Sequence, residues 1–336
     1  MSRYYYRPLV HTGSFRPDNA AQLAGGPCWF THAEVVSRTK RGSYIPVERL
    51  PADVLQNLTS LRQPLGALSL DEARIMGILN VTPDSFSDGG RFSGAAQALA
   101  YAERMVADGA DIIDIGGEST RPGATEVPHE AEIARTAPVI EAIRSKLSTP
   151  ISIDTRKCTV AKAAIQHGAD MVNDVSGFTF DADLAQLCAE NDVPVFAMHA
   201  QGDPMTMQRN PVYRDVLLDV YDFLETQLAM LESLGIDRSR VVLDPGIGFG
   251  KTQAHNLALL NGMSVFHGLG CALLLGVSRK GFIGKIGQTP LARDRVSGSV
   301  AVGLAGLAQG VQILRVHDVA ETKQAIRLWQ AVARGE

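Results

Sequence analysis

From residue 71 onward, short runs of apolar residues alternate with longer stretches in which apolar residues recur every three or four positions. Each short run is bounded by glycine, proline or polar residues, which is typical of buried β-strands. The first run, residues 75–79, ends at Asn80 and leads into a polar, turn-rich segment. The predicted strands are residues 75–79, 111–115, 150–153, 170–173, 193–197, 240–243, 272–276 and 311–315.

Helical patterns separate the strands. Eight strands, each followed by a helix over about 250 residues, are the pattern of a (β/α)8 barrel. An open, doubly wound sheet alternates the same elements, but the count of eight favours closure. The predicted fold class is therefore α/β, with a (β/α)8 TIM barrel over residues 71–336. The predicted helices include residues 95–110, 129–147, 183–191, 213–235 and a tightly packed Gly- and Ala-rich stretch at 300–307.

Residues 1–70 differ from the rest of the chain. They begin with aromatic and basic residues and prolines, and they predict a strand within 28–36 and a short amphipathic helix at 53–61. A disordered tail is the alternative, but Trp29 and Phe30 argue against it because disordered segments contain few aromatic residues. We predict an N-terminal extension, without an assigned role, that packs on the barrel.

Polar residues stand just past every predicted strand. In a barrel these strand ends converge on one face, where residues distant in sequence become neighbours. We therefore expect one site at the carboxyl ends of the strands. The residues in question are 80, 116–124, 154–156, 173–174, 198–201, 244–251, 278–281 and 315–318.

One group of these residues is suited to binding an anion. Arg121, Arg315 and His317 are cationic or can become so, and Thr120 is a neutral donor; guanidinium groups match the geometry of phosphate oxygens. Asn80 offers a carbonyl oxygen, which suits a Mg²⁺ ion that takes its other ligands from phosphate and water. A single surface arginine usually forms a plain ion pair, but several cationic groups at strand ends indicate a phosphate site.

A second group is rich in hydrogen-bond acceptors. It contains Asp154, Asn173 and Asp244, joined by Lys280. A carboxylate accepts two N–H donors side by side, and asparagine supplies both a donor and an acceptor. Lys280 would donate to a ring carbonyl and balance the buried carboxylates; a structural Asp244–Lys280 ion pair is the alternative. This group predicts a pocket for a flat, nitrogen-rich heterocycle.

The composition narrows the classes of function. The 336 residues are 45% hydrophobic and 20% charged, which supports a large folded core. A formal net charge of -4 gives no basic excess for binding nucleic acid, although a local cluster can still hold a small anion. No apolar run reaches a membrane span and no secretory h-region is present. The four cysteines lack CxxC spacing, so we expect reduced thiols and a cytoplasmic protein without membrane binding.

The glycine-rich segment 244–251 matches no nucleotide-binding motif. Pro245 stands where a P-loop requires its first glycine, and Lys251 where GxGxxG requires its last. The glycines are expected to form a tight turn close to a ligand, with Phe249 either as a wall of the pocket or as a plain core residue. His199 is expected to be structural, and no HExxH or GxSxG motif supports a zinc or acyl-hydrolase site.

Together these segments resemble dihydropteroate synthases, which are pterin-binding enzymes. The resemblance spans residues 71–330 and its eight motifs occur in order, with residues 1–70 outside it. It implies a (β/α)8 transferase of folate biosynthesis that condenses (7,8-dihydropterin-6-yl)methyl diphosphate with 4-aminobenzoate and releases diphosphate. It also implies Mg²⁺, a homodimer and competition by sulfonamide drugs. The motifs are NVTPDSFSDGG (80–90), DIGGESTRPGA (114–124), IDT (153–155), VNDVSG (172–177), MH (198–199), LDPGIGFGK (243–251), SRK (278–280) and RVHDV (315–319).

The resemblance also implies a role for each matching residue. The pterin would be bound by Asp154, Asn173, Asp244, Lys280 and Arg315. The diphosphate would be bound by Asn80, Thr120, Arg121, Arg315 and His317, with Asn80 as the ligand of Mg²⁺. The pocket for 4-aminobenzoate would be formed by Phe86, Thr120, Pro122, Phe249 and Gly281.

One position departs from the family pattern. Some members carry a serine directly after SRK, whose hydroxyl helps to bind the benzoate carboxylate, whereas this chain has Gly281. A backbone N–H at a helix amino terminus is still a donor for a carboxylate.

The chemistry of the implied substrates favours an SN1-like path. Diphosphate leaves a methylene carbon on an electron-rich ring, and the ring nitrogens share the cation that remains. Asp154 would stabilise that cation and Arg315 the leaving charge, so both are predicted to be catalytic through electrostatics. Two alternatives stay open: a pterin-dependent methyltransferase, which needs fewer cations around a diphosphate, and a pterin-binding module without turnover.

Overall fold

The apolar runs of the sequence form parallel strands that close into a barrel. The computed structural model describes residues 3–39, 42–82, 91–119, 123–202 and 206–335, with the backbone alone for 91–93. Within these residues, eight strands pair in sequence order and the last pairs with the first. The closed barrel confirms the predicted (β/α)8 fold, and the open sheet considered as the alternative is wrong.

The barrel strands lie within two residues of their predicted positions. The predicted strand within 28–36 appears as two short strands. In chain order the strands are β1 (Tyr5–Pro8), β2 (Ala21–Gln22), β3 (Trp29–Phe30), β4 (His32–Val36), β5 (Ser43–Pro46), and then the barrel strands β6 (Arg74–Asn80), β7 (Ile112–Gly116), β8 (Ile151–Asp154), β9 (Met171–Asp174), β10 (Val195–Met198), β11 (Val241–Asp244), β12 (Ala272–Leu275) and β13 (Ile313–Val316).

Helices follow the barrel strands and cover their outer side. The predicted helix at 213–235 begins at Val216, because the side chain of Asp215 accepts hydrogen bonds from the backbone N–H groups of Leu217 and Leu218 and caps the helix there. Helices α4, α7, α8 and α10 were not placed by the sequence pattern. The helices are α1 (Ala52–Thr59), α2 (Arg91–Asp108), α3 (His129–Arg144), α4 (Cys158–Gln166), α5 (Ala182–Glu190), α6 (Val216–Ser233), α7 (Gln253–Asn261), α8 (Gly281–Ile286), α9 (Val296–Leu307) and α10 (Val319–Arg334).

The interior of the barrel changes from apolar to polar along the strands. Near the amino ends, Val242 and Ile313 belong to an apolar cluster inside the barrel. Side chains two residues apart point to the same side of a strand, so Asp244 and Arg315 face the same interior one step further on. The carboxyl end of the barrel is therefore where charged side chains enter the core.

The amino-terminal end of the barrel interior is closed by the segment that precedes β6. Leu65 is 0% exposed and Leu70 is 3% exposed. Both pack against the interior residues Met76, Phe196 and Leu274. An antiparallel bridge between Leu65 and residue 68 shapes this segment as a turn. The plug is apolar, so the polar end of the barrel is the open one.

The residues before this plug form a small layer with its own core, where the sequence predicted an ordered extension that packs on the barrel. Strands β1, β4 and β5 form an antiparallel sheet, and β2 pairs with β3. Buried side chains that include Leu23, Phe30 and Leu58 lie beneath them. Aromatic and aliphatic burial of this kind stabilises an ordered layer.

This layer is fastened to the barrel at the short 3-10 helix Met263–Leu269 and along α6. Ser264 Oγ donates to the carbonyl of Pro8 at 2.9 Å, and Asn57 Nδ2 donates to the carbonyl of Gly268 at 3.0 Å. Arg38 bridges two carboxylates of α6, at 2.6 and 2.7 Å. The layer thus covers surfaces other than the carboxyl ends of the strands.

The four cysteines are free thiols, with Cys28, Cys188 and Cys271 buried and Cys158 partly buried. Across the described ranges, no helix combines the length and hydrophobicity that crossing a bilayer requires.

We expect Leu65→Ala to lower the free energy of unfolding by about 2–5 kcal/mol, the usual cost of truncating a buried leucine. Leu65 is fully buried in the plug, and its removal leaves a cavity at the end of the barrel. Urea unfolding followed by circular dichroism measures the change. Leu61→Ala is the matched control, because Leu61 is 54% exposed, and it should change stability by less than about 0.5 kcal/mol. Equal effects of the two substitutions would contradict a plug at residues 65–70.

Candidate active site

A cavity of about 980 Å³ opens at the carboxyl ends of the barrel strands. Every barrel strand, or the connection that follows it, contributes to the wall of this cavity. The cavity lies where the sequence predicted the site. The predicted residues that line it are Asn80, Asp154, Asn173, Asp244, Phe249, Lys280, Gly281, Arg315 and His317.

Four predicted residues, Phe86, Thr120, Arg121 and Pro122, lie outside the described residues. The last three directly follow Ser119, which lines the cavity. Their assignment to the diphosphate and to 4-aminobenzoate stays a prediction.

Arg315 links two carboxylates inside the barrel. Its Nε donates to Oδ2 of Asp114 at 2.6 Å, and its Nη2 donates to Oδ2 of Asp154 at 2.7 Å. Asn173 Nδ2 also donates to Oδ2 of Asp114, at 3.2 Å. These four residues come from β13, β7, β8 and β9. The network therefore fixes side chains of four strands at one level of the barrel.

Asp114 is the member of this network that the sequence analysis did not single out. Its side chain is 0% exposed, and it interrupts the otherwise apolar strand β7. A buried carboxylate is costly unless it is paired, so a lone charge inside an apolar run was the available signal. Asp114 orients Arg315 and Asn173, both of which line the cavity.

Two of the carboxylates that line the cavity, Asp154 and Asp244, are less acidic than usual. Burial raises the pKa of Asp154 to about 7, with the charge of Arg315 opposing the rise and that of Asp114 adding to it. Burial likewise raises the pKa of Asp244 to about 6, against a hydrogen bond from the N–H of Gly246 at 2.7 Å. Protonation of these groups therefore occurs near neutral pH.

Asp154 lines the cavity, and one of its carboxylate oxygens has no hydrogen-bond donor among the described residues. Among the described residues, Oδ1 of Asp154 is buried and accepts no hydrogen bond, whereas Oδ2 is bound to Arg315. A buried acceptor is costly unless it meets a donor. The arrangement suits a ligand that brings N–H groups to the floor of the cavity.

The glycine-rich turn after β11 is held by a buried lysine. Lys251 Nζ donates to the carbonyl oxygens of Gly246 at 2.8 Å and Phe249 at 3.0 Å, and contacts Nδ1 of His199 at 2.8 Å. Gly246 has φ +69°, and a Cβ there would lie 1.8 Å from the carbonyl oxygen of His199. The tight turn that the sequence predicted therefore requires this glycine.

His199 supports this turn. Burial, followed by the charge of Lys251, lowers the pKa of His199 to about 2. The ring is therefore neutral, and its Nδ1 accepts a hydrogen bond from Lys251 Nζ. These contacts agree with the structural role expected from the sequence.

Phe249 and Lys280 form one wall of the cavity. Lys280 Nζ lies 4.0 Å from the centroid of the Phe249 ring, a cation–π distance. Phe249 is partly exposed and lines the cavity, so it is a wall of the pocket and not a plain core residue. The charge of Lys280 also opposes the rise in the pKa of Asp244.

The segment after β12 orients His317 toward the same cavity. Ser278 Oγ accepts from the backbone N–H of His317 at 3.2 Å and lies 3.0 Å from its Nδ1. Arg279 adopts φ +59° and donates to Asp318 at 3.0 Å. In the SRK motif, Arg279 is therefore committed to an ion pair while its neighbours Ser278 and Lys280 line the cavity.

Asn80 ends β6 beside Asp154. The Oδ1 of Asn80 and the Oδ2 of Asp154 each lie 3.8 Å from the point that a Cβ on Gly116 would occupy. An amide oxygen at an open cavity is one of the protein ligands that Mg²⁺ accepts together with phosphate and water, and its assignment to Asn80 stays a prediction. In the part of the chain that the structure describes, no group of three or more His, Cys, Asp and Glu side chains is placed to hold a metal ion.

Gly281 is the first residue of α8 and lines the cavity. A Cβ at this position would meet no atom within 4 Å, so a serine would fit without rearrangement. The departure from the family pattern removes a hydroxyl but leaves the backbone N–H in place.

A family match, a curated relative and two solved structures all relate this chain to pterin-binding enzymes. The sequence pattern of the family described as "Pterin binding enzyme" matches residues 76–317. A dihydropteroate synthase of Synechocystis sp. is 44% identical over 274 residues, which cover 81% of this chain and 95% of the relative. The solved dihydropteroate synthase of Xanthomonas albilineans with 4-aminobenzoic acid aligns with a TM-score of 0.75 and 46% identity, over 79% of this chain and 94% of that one. Its complex with 7,8-dihydropteroate aligns with a TM-score of 0.72 and 42% identity, over 79% and 95% of the two chains.

We expect Arg315→Met to lower the free energy of unfolding by about 3–5 kcal/mol at pH 8, because it leaves two buried carboxylates without their cation. The loss should be smaller at pH 5. Without Arg315 the folded-state pKa of Asp154 rises further, so its protonation stabilises the folded state at low pH, and that contribution disappears as pH rises through the folded-state pKa. Urea unfolding at both pH values measures the difference.

Arg240→Met is the control for this experiment. Arg240 pairs with Asp192, whose side chain is 85% exposed, so its removal should cost less than about 1 kcal/mol at either pH. An Arg315→Met variant as stable as the control at pH 8 would contradict the central role of the Arg315 network.

Proposed function

The chain belongs to the pterin-binding enzyme family, as a dihydropteroate synthase of folate biosynthesis, and from this membership we propose that it condenses (7,8-dihydropterin-6-yl)methyl diphosphate with 4-aminobenzoate. The observation that carries the proposal is the floor of the cavity, where Arg315 and Asn173 are fixed beside a buried acceptor of Asp154. Two X. albilineans structures support it, one with 4-aminobenzoic acid and one with 7,8-dihydropteroate.

The pterin is proposed to lie on this floor. Its ring edge presents N–H groups, which match Oδ1 of Asp154 and the carboxylate of Asp244, while Asn173 supplies a donor and an acceptor. Lys280, beside Phe249, is proposed to donate to the ring carbonyl. The raised pKa values of Asp154 and Asp244 fit carboxylates that lose contact with water and gain donors from a ligand.

The diphosphate is proposed to lie nearer the mouth of the cavity. Arg315 and His317 face it from β13 and the residue that follows, and Asn80 faces it from β6. Mg²⁺, when bound at Asn80, would supply positive charge to the leaving diphosphate. Thr120 and Arg121 are proposed to complete this site.

We propose an SN1-like displacement, which these positions support. Asp154 lies at the pterin floor, where its carboxylate stabilises positive charge that develops on the ring as the C–O bond breaks. Arg315 stabilises the developing charge of the leaving group and is already oriented by Asp114 and Asp154. A donor that is fixed in advance needs no reorganisation during the reaction. The amine of 4-aminobenzoate then attacks the methylene carbon and loses a proton.

The pocket for 4-aminobenzoate is proposed to lie against Phe249 and the start of α8. The backbone N–H of Gly281 replaces the serine hydroxyl of some relatives as a donor to the carboxylate, and Phe86 and Pro122 are proposed to complete the walls. Sulfonamides are expected to compete at this pocket. A cytoplasmic homodimer and the division of the chain at residues 1–70 and 71–336 also stay predictions.

Wild-type protein with Mg²⁺, pterin diphosphate and 4-aminobenzoate should release one diphosphate per 7,8-dihydropteroate formed. Asp154→Asn should lower kcat by roughly 10²–10³, the usual effect of removing one preorganised electrostatic group. Steady-state measurement of diphosphate and pteroate tests both statements. Asp192→Asn is the control, because this side chain is 85% exposed, and its kcat should not change.

The same assay separates the alternatives. A methyltransferase or a binding module would bind the pterin and release no diphosphate. Wild-type turnover with an unchanged kcat in Asp154→Asn would keep the activity and reject the role given to Asp154.

Affinity for the pterin should fall as pH decreases through about 6. The pKa of Asp244 is raised to about 6 in the free protein, and only the ionised carboxylate accepts hydrogen bonds with both oxygens. Affinity should therefore be constant above about pH 8, decrease first as Asp154 is protonated with its pKa of about 7, and decrease more steeply below about 6, by up to about tenfold per pH unit for each carboxylate. Calorimetric titration with the pterin diphosphate, without 4-aminobenzoate, measures this. In Asp244→Asn the affinity should be low throughout; an unchanged slope in that variant would assign the titration to another group.

A further inference from the structure

A second cluster of buried charges lies beside the site and takes no part in the chemistry described above. It contains Glu118, Glu132, Arg156 and Lys157, and we call it the Lys157 cluster. All four residues are at most 8% exposed, and Lys157 is 0% exposed. Burying four charges is costly, so the contacts of this cluster indicate what it holds in place.

Lys157 is the centre of the cluster. Its Nζ donates to Oε2 of Glu118, to Oε2 of Glu132 at 2.8 Å and to the carbonyl oxygen of Val127 at 2.6 Å. All three donor positions of the ammonium are therefore used. Arg156 Nη2 donates to Oε1 of Glu118 at 2.7 Å, so each oxygen of Glu118 has a cationic partner.

These contacts join the two ends of the connection between β7 and α3. Glu118 lies two residues after β7, and Val127 lies two residues before α3. The N–H of Val127 donates to Oε2 of Glu118 at 2.9 Å, while its carbonyl accepts from Lys157. One carboxylate and one lysine thus tie Glu118 to Val127, the two ends of segment 118–127, of which the structure describes residues 118, 119 and 123–127.

The entry to this segment is held against α3 as well. The carbonyl oxygen of Gly117 accepts from Arg135 Nη1 at 2.8 Å. A Cβ on Gly117 would lie 2.8 Å from Cγ2 of Thr136, so the backbone approaches the helix as closely as glycine allows. Glu118 itself and Ser119 line the cavity.

The cluster also connects this segment to the pterin floor. Lys157 follows Asp154 by three residues, in the turn between β8 and α4. The two parts of the site are thus linked by one short stretch of chain: Asp154 at one end accepts from Arg315, and Lys157 at the other end holds segment 118–127.

We propose that Lys157 is a positioning residue, which fixes Glu118 and Val127, the two ends of segment 118–127, relative to β8 so that 4-aminobenzoate meets the pterin in a reactive geometry. The inference rests on the proposed function, because it concerns the second substrate of that reaction. Pterin binding depends on strand-end residues outside the cluster and should be independent of it. A misplacement of about 1 Å can cost about 10²-fold in rate, so fixed loop ends have a measurable kinetic consequence.

The test uses two variants, because a buried charge left alone often prevents folding. Lys157→Met with Glu132→Leu removes one charge of each sign and leaves Glu118 paired with Arg156. Glu118→Gln keeps the shape of the side chain and removes the charge that binds both cations. In either folded variant we expect kcat/KM for 4-aminobenzoate to fall about 10- to 100-fold, with the calorimetric Kd for pterin diphosphate within about twofold of wild type.

Hydrogen exchange provides a readout that does not depend on turnover. The amide of Val127 is bonded to the cluster, so a peptide that contains residues 124–128 should exchange at least about tenfold faster in both variants. The control is Arg7→Met with Glu34→Leu, which removes an ion pair of the N-terminal layer and should change neither kcat/KM nor exchange in this peptide.

The outcomes separate this inference from the proposed function. An unchanged kcat/KM for 4-aminobenzoate in folded variants, or a pterin affinity that weakens in the same proportion as kcat/KM falls, would overturn the positioning role. Wild-type protein without diphosphate release would reject the proposed function instead. In that case the exchange rates alone test the positioning role of Lys157. Unchanged exchange of the peptide 124–128 in both variants would overturn it.

Discussion

The structure depends on charges that compensate one another inside the carboxyl end of the barrel. Arg315 is held between Asp114 and Asp154, and Asn173 completes the network. None of these side chains would be stable in an apolar interior alone. Because these side chains are paired, the barrel presents an ordered set of donors and acceptors at the bottom of the cavity. Aliphatic side chains would otherwise fill this part of the interior. The pairing that offsets the cost of burying these charges also fixes the positions of the side chains before a ligand binds.

Two other parts of the fold support that arrangement. At the opposite end, Leu65 and Leu70 complete the apolar half of the interior, so the interior changes from apolar to charged between the two ends of the barrel. Around the cavity, buried lysines fix the connections: Lys251 holds the glycine-rich turn, and Lys157 holds segment 118–127. In both cases a buried lysine Nζ donates to at least one backbone carbonyl of the connection, a group that a loop often cannot pair by itself.

The sequence predicted the fold and much of the site because both depend on local patterns. Apolar runs fix the strands, and the polar residue that ends each run is carried to the common face by topology alone. Asp114 and Lys157 were missed because their importance comes from partners far along the chain: Asp114 is bound by Arg315, 201 positions away. The roles of residues at 86 and 120–122 rest on family resemblance and stay predictions.

A crystal structure of the protein with Mg²⁺ and a non-reactive analogue of the pterin diphosphate tests the central claim most directly. The account predicts that ring N–H groups lie within hydrogen-bond distance of Oδ1 of Asp154 and of Asp244, with the diphosphate beside Arg315 and Asn80. A pterin bound elsewhere, or a ring that leaves Asp154 Oδ1 without a donor, would contradict it.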